Sequence, residues 1–306
     1  MVLRTAVLVA VIALSGAAAV RVAVEQQQQE GVRAGVARAR PDEPGRDYRF
    51  ERLNAPPRTV VRDEHGAVVA TFTDGARTAA ITGPSRTFAE PARTPAVVTT
   101  PVWARLIPQP WRPDAEREEW FRPWLDAAVV DRGDDVLAIA TQYLDEAQEA
   151  RDEKSVRYRG NASFGPADFH DYLGVSWSFP DGGTENPAQE RYGSLDAAGF
   201  IRLVFGYRLG YPLRDSAGRG TGLPRTPAAM ATFDTGVQIN GTRLALQPGD
   251  LLFFDTGRGV VDHVGLFVGL DRTGKPRFVS SRRQAEGPTL GDEGASFTGL
   301  RGARRL

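Results

Sequence analysis

Chemistry in this chain has few carriers. Its 306 residues include three histidines, His65, His170 and His263, and no cysteine. The lack of cysteine excludes disulfides, thiolate metal sites and thiol catalysis together. His65 falls in a turn signal, Asp63-Glu64-His65-Gly66, and reads as a solvated surface residue. His170 lies among Phe169, Tyr172, Trp177 and Phe179, where a lone imidazole reads as structural. His263 opens the run Asp262-His263-Val264-Gly265-Leu266-Phe267-Val268-Gly269, a strand with an imidazole at its start. An imidazole there is a general base if the proton to be removed lies within hydrogen-bond reach. The histidines show no ligand spacing, so neither a metal nor another cofactor is expected.

The second stretch able to support chemistry is Tyr192-Gly193-Ser194-Leu195-Asp196-Ala197-Ala198-Gly199-Phe200-Ile201-Arg202-Leu203-Val204-Phe205. Asp196 is a good N-cap, because its carboxylate can accept from the free N–H groups of a first helical turn. Phe200, Ile201, Val204 and Phe205 then recur at helical spacing, so one face of this helix enters a core. A buried helix N-terminus stabilises an anion and would lower a thiol pKa. This chain places Ala197 and Ala198 there, and neither side chain can react.

These motifs resemble those of the NlpC-type cell-wall peptidases, a papain-like family. The family's nucleophile motif reads Asp-Cys-Ser-Gly-Phe or a close variant, and Asp196, Gly199 and Phe200 match it. By that resemblance Ala197 stands at the nucleophile position and Ala198 where Ser is usual. Leu246-Gln247-Pro248-Gly249-Asp250-Leu251-Leu252-Phe253-Phe254 matches the Pro-Gly-Asp-Leu turn and buried strand that precede the catalytic His strand. His263 then takes the general-base position. Ser280, on the strand Arg277-Phe278-Val279-Ser280-Ser281, falls at the third, orienting position, where the family often has His, Asn or Gln. Asp196, Ala198, Trp177 and Asp262 are candidates for the substrate cleft. The resemblance spans about Asp134 to Ser281.

The positioning elements follow from the rest of the chain. Met1–Val24 reads as an export signal or an uncleaved anchor: Arg4 precedes an apolar run of about 16 residues, short for a bilayer span. Residues 25–47, with Gln26 to Gln29 and scattered Arg, Gly and Pro, read as a flexible linker. Residues 48–108 predict a small β-rich module, with strands at Thr59–Arg62, Ala67–Thr73, Arg77–Thr82 and Val97–Leu106 separated by turn signals. Residues 109–133 are a Trp- and Pro-rich connector whose Trp111, Trp120, Phe121 and Trp124 suit a seam between two domains. Asp134-Asp135 caps a helix expected to run to about Arg151, the start of an NlpC-type domain over residues 134–306. The tail, from Arg282-Arg283 to Arg304-Arg305, reads as a basic, solvated end. The expected fold is α+β: helices packed on an antiparallel sheet in a papain-like domain, preceded by the β-rich module.

Formal net charge is zero, which gives no field for nucleic acid. All but Lys154 and Lys275 of the 38 basic residues are Arg, a bias that fits the GC-rich codons of a bacterium. The resemblance implies an exported protein, in the cell wall or anchored by its N-terminal segment. Its partner would be peptidoglycan stem peptide or another wall polymer, or a cell-envelope protein. Three readings stay open: a non-catalytic member that binds; a hydrolase using Ser194, Ser280 or Ser281 as substitute nucleophile; and a structural assembly protein acting through its β-module and aromatic connector.

Overall fold

The computed structural model describes residues 47–218, 220–239, 246–292 and 299–306. The export segment and the linker lie outside these residues, apart from Asp47. Among the described residues no helix is long and apolar enough to cross a membrane.

Five strands make an antiparallel sheet in chain order: β1 (Arg49–Leu53), β2 (Arg58–Arg62), β3 (Val68–Thr73), β4 (Thr78–Ala89) and β5 (Val97–Leu106). The β2–β3 turn forms as its residues dictate. The Asp63 carboxylate accepts from the N–H groups of His65 (3.0 Å) and Ala67 (2.8 Å), and Gly66 takes a φ of +81°. β4 runs well past Thr82, with a register shift before Arg86 where Pro84 has no N–H to give the ladder.

The Trp-rich stretch corrects an expectation, because it closes the first sheet and does not form a seam between two domains. α1 (Phe121–Val130) lies on the sheet face, and Phe72 stacks on Trp111 at 4.4 Å and meets Phe121 edge-on at 5.4 Å. The Trp111 indole N–H donates to Thr59 Oγ1 (3.1 Å). Without these rings the apolar face of Val61, Phe72 and Ile81 would be open to water.

α2 (Val136–Thr141) is capped by Asp135, whose carboxylate accepts from the N–H of Ala138 (2.9 Å) and of Ala104 on β5 (2.7 Å). The helix stops ten residues short of the expected Arg151. The carbonyls of Gln142 and Tyr143 accept from the N–H groups of Gly160 and Ala162, so they are not left for a further helical turn.

Three short helices follow: α3 (Phe169–Leu173), α4 (Ala197–Ile201), which continues through a wider π-type turn over Arg202–Arg208, and α5 (Pro227–Thr232). The second sheet has six strands: β6 (Val237–Ile239), β7 (Leu251–Phe254), β8 (His263–Leu270), β9 (Pro276–Arg282), β10 (Gly287–Asp292) and β11 (Leu300–Arg305). Their spatial order is β6-β11-β7-β8-β9-β10, antiparallel throughout. α4 packs on β8 and β9, and Phe200, Ile201, Val204 and Phe205 are buried with Val264, Leu266, Val268 and Val279. Phe88, Val98 and Ala104 of the first sheet share that core.

The tail is also unlike its expectation. β11 sits between β6 and β7, and Arg305 is buried. Its guanidinium donates to both carboxylate oxygens of Asp250 (2.8 Å each) and to Thr73 Oγ1 (2.6 Å). The carbonyl of Leu306 accepts from the N–H groups of Arg77 and Thr78. Arg304 donates to the carbonyls of Ala231 (3.0 Å) and Thr235 (2.9 Å), and Arg305 joins the second sheet to the first.

Candidate active-site cleft

A cleft of about 1130 Å³ opens where the start of α4 faces the ends of β7, β8 and β9. Asp196, Ala197 and Ala198 line it from the helix side, and Asp262 and His263 line it from the sheet side. Five of the sequence-derived residues therefore meet in one place. Ser280 lies behind His263 and off the cleft surface. Trp177 does not line the cleft: it packs edge-on against Phe169 (5.1 Å) and Tyr207 (6.1 Å), with the aromatic side chains of the 158–190 segment. Those side chains serve the core, which corrects the expectation for Trp177.

The helix start is held with little freedom. Asp196 accepts from the Gly199 N–H at 2.7 Å, the N-cap bond expected from the sequence. Gly199 is required by packing, since a Cβ there would fall 2.4 Å from the Ala167 carbonyl oxygen. Behind it Asp168, the N-cap of α3, meets the fully buried Arg202 at 3.0 Å. Arg202 also donates to the carbonyls of Arg214 (2.7 Å) and Leu223 (2.9 Å). Burial lowers the Arg202 pKa, although Asp168 opposes this. Arg225 joins Asp168 (3.5 Å) to Asp196, to which it donates through both terminal nitrogens. Burial works against the Arg225 charge, but these aspartates outweigh it and raise its pKa.

On the sheet side, Phe254 of β7 lies opposite His263, and Leu266 of β8 lies opposite Val279 of β9. That register places Ser280 opposite Gly265 and on the same face as His263, two residues away. Gly265 has a purpose here: a Cβ would come within 2.4 Å of the Phe278 ring and 3.3 Å of Ser280 Cβ. The open space lets Ser280 Oγ reach His263 Nε2 at 3.0 Å. A hydroxyl can donate to this nitrogen as well as accept from it. Burial pushes the His263 imidazole down to about 4; the Arg282 charge adds to this and Asp262 opposes it. At neutral pH the ring is uncharged.

The cleft rim is cationic. Arg225, Arg258, Arg282, Arg283 and Arg301 line it with three aspartates, Asp196, Asp255 and Asp262. Asp255 Oδ1 accepts from the N–H groups of Gly257, Arg258 and Gly259 (2.8–3.0 Å), and Oδ2 accepts from Arg301 (2.8 Å). Arg301 and these N–H groups hold the Asp255 carboxyl down to about 2. Asp262 accepts from Thr256 N–H (2.9 Å) and Oγ1 (2.6 Å) and pairs with Arg258 (3.3 Å). Among the described residues no group of three or more His, Asp or Glu is placed to hold a metal ion.

The serines named as substitute nucleophiles are poorly placed. Ser280 touches His263 but is fully buried and off the cleft. Ser281 lines the cleft, but its hydroxyl donates to the Leu195 carbonyl (2.7 Å). Ser194 lies in a two-residue strand paired with Ser163, ahead of the helix and off the cleft lining.

Sequence reasoning passed over Asp168, Arg225, Asp255 and Arg301. For Arg225 a signal was present: Thr226 followed by Pro227 is a helix start, and Thr226 Oγ1 accepts from Ala229 N–H (3.3 Å). The others are joined only by the fold.

No curated protein matches the chain. Residues 178–286 match the NlpC/P60 family model. The match is shorter on its N-terminal side than the span of motif resemblance, and it contains Asp196, Ala197, Ala198, Asp262, His263 and Ser280. This stretch of the chain, which supplies both walls of the cleft, is a domain of the NlpC/P60 family.

Proposed function

We propose that this is an exported, papain-like NlpC/P60 protein that does not cleave its ligand and uses the cleft to hold peptidoglycan stem peptide. One observation carries the reading: the cleft brings Ala197 and Ala198 together with His263, in a chain without cysteine. Removing a nucleophile typically costs many orders of magnitude in rate, while binding needs only shape and polar contacts. The weak basicity of His263, pushed down to about 4 by burial, and the committed hydroxyl of Ser281 argue against a substitute nucleophile.

The assembly-protein reading is weakened by the Trp cluster. Trp111 and Phe121 fill the first sheet's own core, and Trp120 and Trp124 are half-buried against it. The two are separated by calorimetry of L-Ala-γ-D-Glu-diaminopimelate binding to the full chain. His263→Trp, which fills the cleft, should abolish binding, and Trp120→Ala on the first sheet should leave it within twofold or so. The opposite pattern would refute the cleft as the binding site.

A further inference from the structure

We propose that the first sheet is part of the cleft: Arg93, in the connection between β4 and β5, is a positioning residue that fixes the wall turn carrying Gln284. The ligand in this proposal rests on the stem-peptide reading above. What is added is an element outside the matched family domain that shapes its site.

The wall turn leads from β9 to β10. Arg283–Ala285 form a single short helical turn, and Arg283 and Gln284 line the cleft. Its path is tightly specified on one side. Glu286 takes a φ of +56°, which non-glycine residues seldom adopt. The Glu286 carbonyl accepts from the N–H of Phe164 (2.8 Å), another residue of the lining. A Cβ on Gly287 would fall 2.2 Å from the Ala162 carbonyl oxygen, so the backbones are in contact there.

The other side is held by the first sheet. Arg93 Nη1 donates to the Ala285 carbonyl, and its Nε donates to Asp145 Oδ2 (3.0 Å), just beyond α2. Glu90 precedes Arg93 on the same turn, where its carbonyl accepts from the N–H groups of Arg93 (3.1 Å) and Thr94 (3.0 Å). The Glu90 side chain is buried, and its Oε2 accepts from Thr289 Oγ1 and from the Leu290 N–H of β10 (2.7 Å each). The two residues make a bracket: Glu90 holds β10, and Arg93 holds the turn that precedes it. A rigid guanidinium fork suits this task, because its donors keep fixed directions.

The bracket presents Gln284 to the cleft. Its side chain is exposed there, and among the described residues its amide has no hydrogen-bond partner. A side-chain amide offers the donor and acceptor that match a peptide bond. Such bonds weaken steeply when their angles open, so the turn that carries Gln284 has to be held in place.

The test is calorimetric titration of L-Ala-γ-D-Glu-diaminopimelate into the full chain, Arg93→Met, Gln284→Ala and the double variant. Each single variant should bind about tenfold more weakly, and the double variant no more weakly than either. Binding by Arg93→Met within about twofold of the native chain, or losses that multiply in the double variant, would overturn the proposal and leave the stem-peptide reading standing. Amide hydrogen exchange without ligand gives a second readout. Residues 283–287 should exchange about tenfold faster in Arg93→Met while α4 keeps its native rate. Unchanged exchange in the turn, or an equal increase in α4, would also overturn it. If the native chain does not bind the peptide, the stem-peptide reading fails, and the exchange result alone decides whether Arg93 holds the turn.

Discussion

His263 should control how stability depends on pH, and the structure gives the size of the effect. An unfolded His263 takes its proton near 6.5, and the folded one does so only near 4. As pH falls through that window the unfolded chain gains the proton first. The stabilisation is complete above 6.5, declines between 6.5 and 4, and is gone below 4. At about 1.4 kcal/mol per pH unit the loss amounts to about 3 kcal/mol. One edge of the ring meets the cleft, so this is a ceiling. Urea unfolding of the native chain and of His263→Gln at several pH values isolates the effect, since all other groups are common to both. With only three histidines, the imidazole C–H resonances can be assigned by the same substitution. A midpoint for His263 at 6 or above, or parallel stability curves for the two proteins, would refute the argument that burial beside Arg282 keeps this ring uncharged.

Other expectations concern the framework of the site. Gly199→Ala forces a Cβ against the Ala167 carbonyl and should cost about 1–3 kcal/mol or more, read as a lower urea midpoint at unchanged slope. Asp168→Asn leaves the Arg202 charge buried without its carboxylate and should cost about 3–5 kcal/mol; adding Arg202→Met should recover part of that loss, and strict additivity would contradict the pairing. Arg305→Met strands Asp250 and unties Thr73, at a cost of about 3 kcal/mol. Tryptophan fluorescence and far-UV circular dichroism should coincide during thermal unfolding of the native chain and separate in this variant; coincident curves in both would show that Arg305 does not couple the sheets.

How much was legible varied with the range of the interactions. The Asp196 cap, the α4 stripe and the strand signals at β2, β3 and β5 are local patterns, and the structure places those elements as read. The early end of α2 was not legible, because it depends on Gly160 and Ala162 taking carbonyls that a helix would use. Arg304-Arg305 looked solvated because its partners, Asp250 and Thr73, lie far away in sequence. The same holds for the cleft: motif spacing led to Ala197 and His263, while the cationic rim required Arg258 of a loop, Arg282 at the end of β9 and Arg301 of β11 to converge. Trp177 was misplaced because an aromatic-rich segment can wall a cleft or fill a core, and composition does not distinguish the two.

The most direct test of the central claim is release of muropeptides from purified peptidoglycan, read by mass spectrometry, with the unmodified protein beside Ala197→Cys. The account predicts no release by the unmodified chain. It predicts measurable release by the cysteine variant, below that of an intact family enzyme, because His263 is oriented by a serine and is a weak base. Release by the unmodified chain would contradict it.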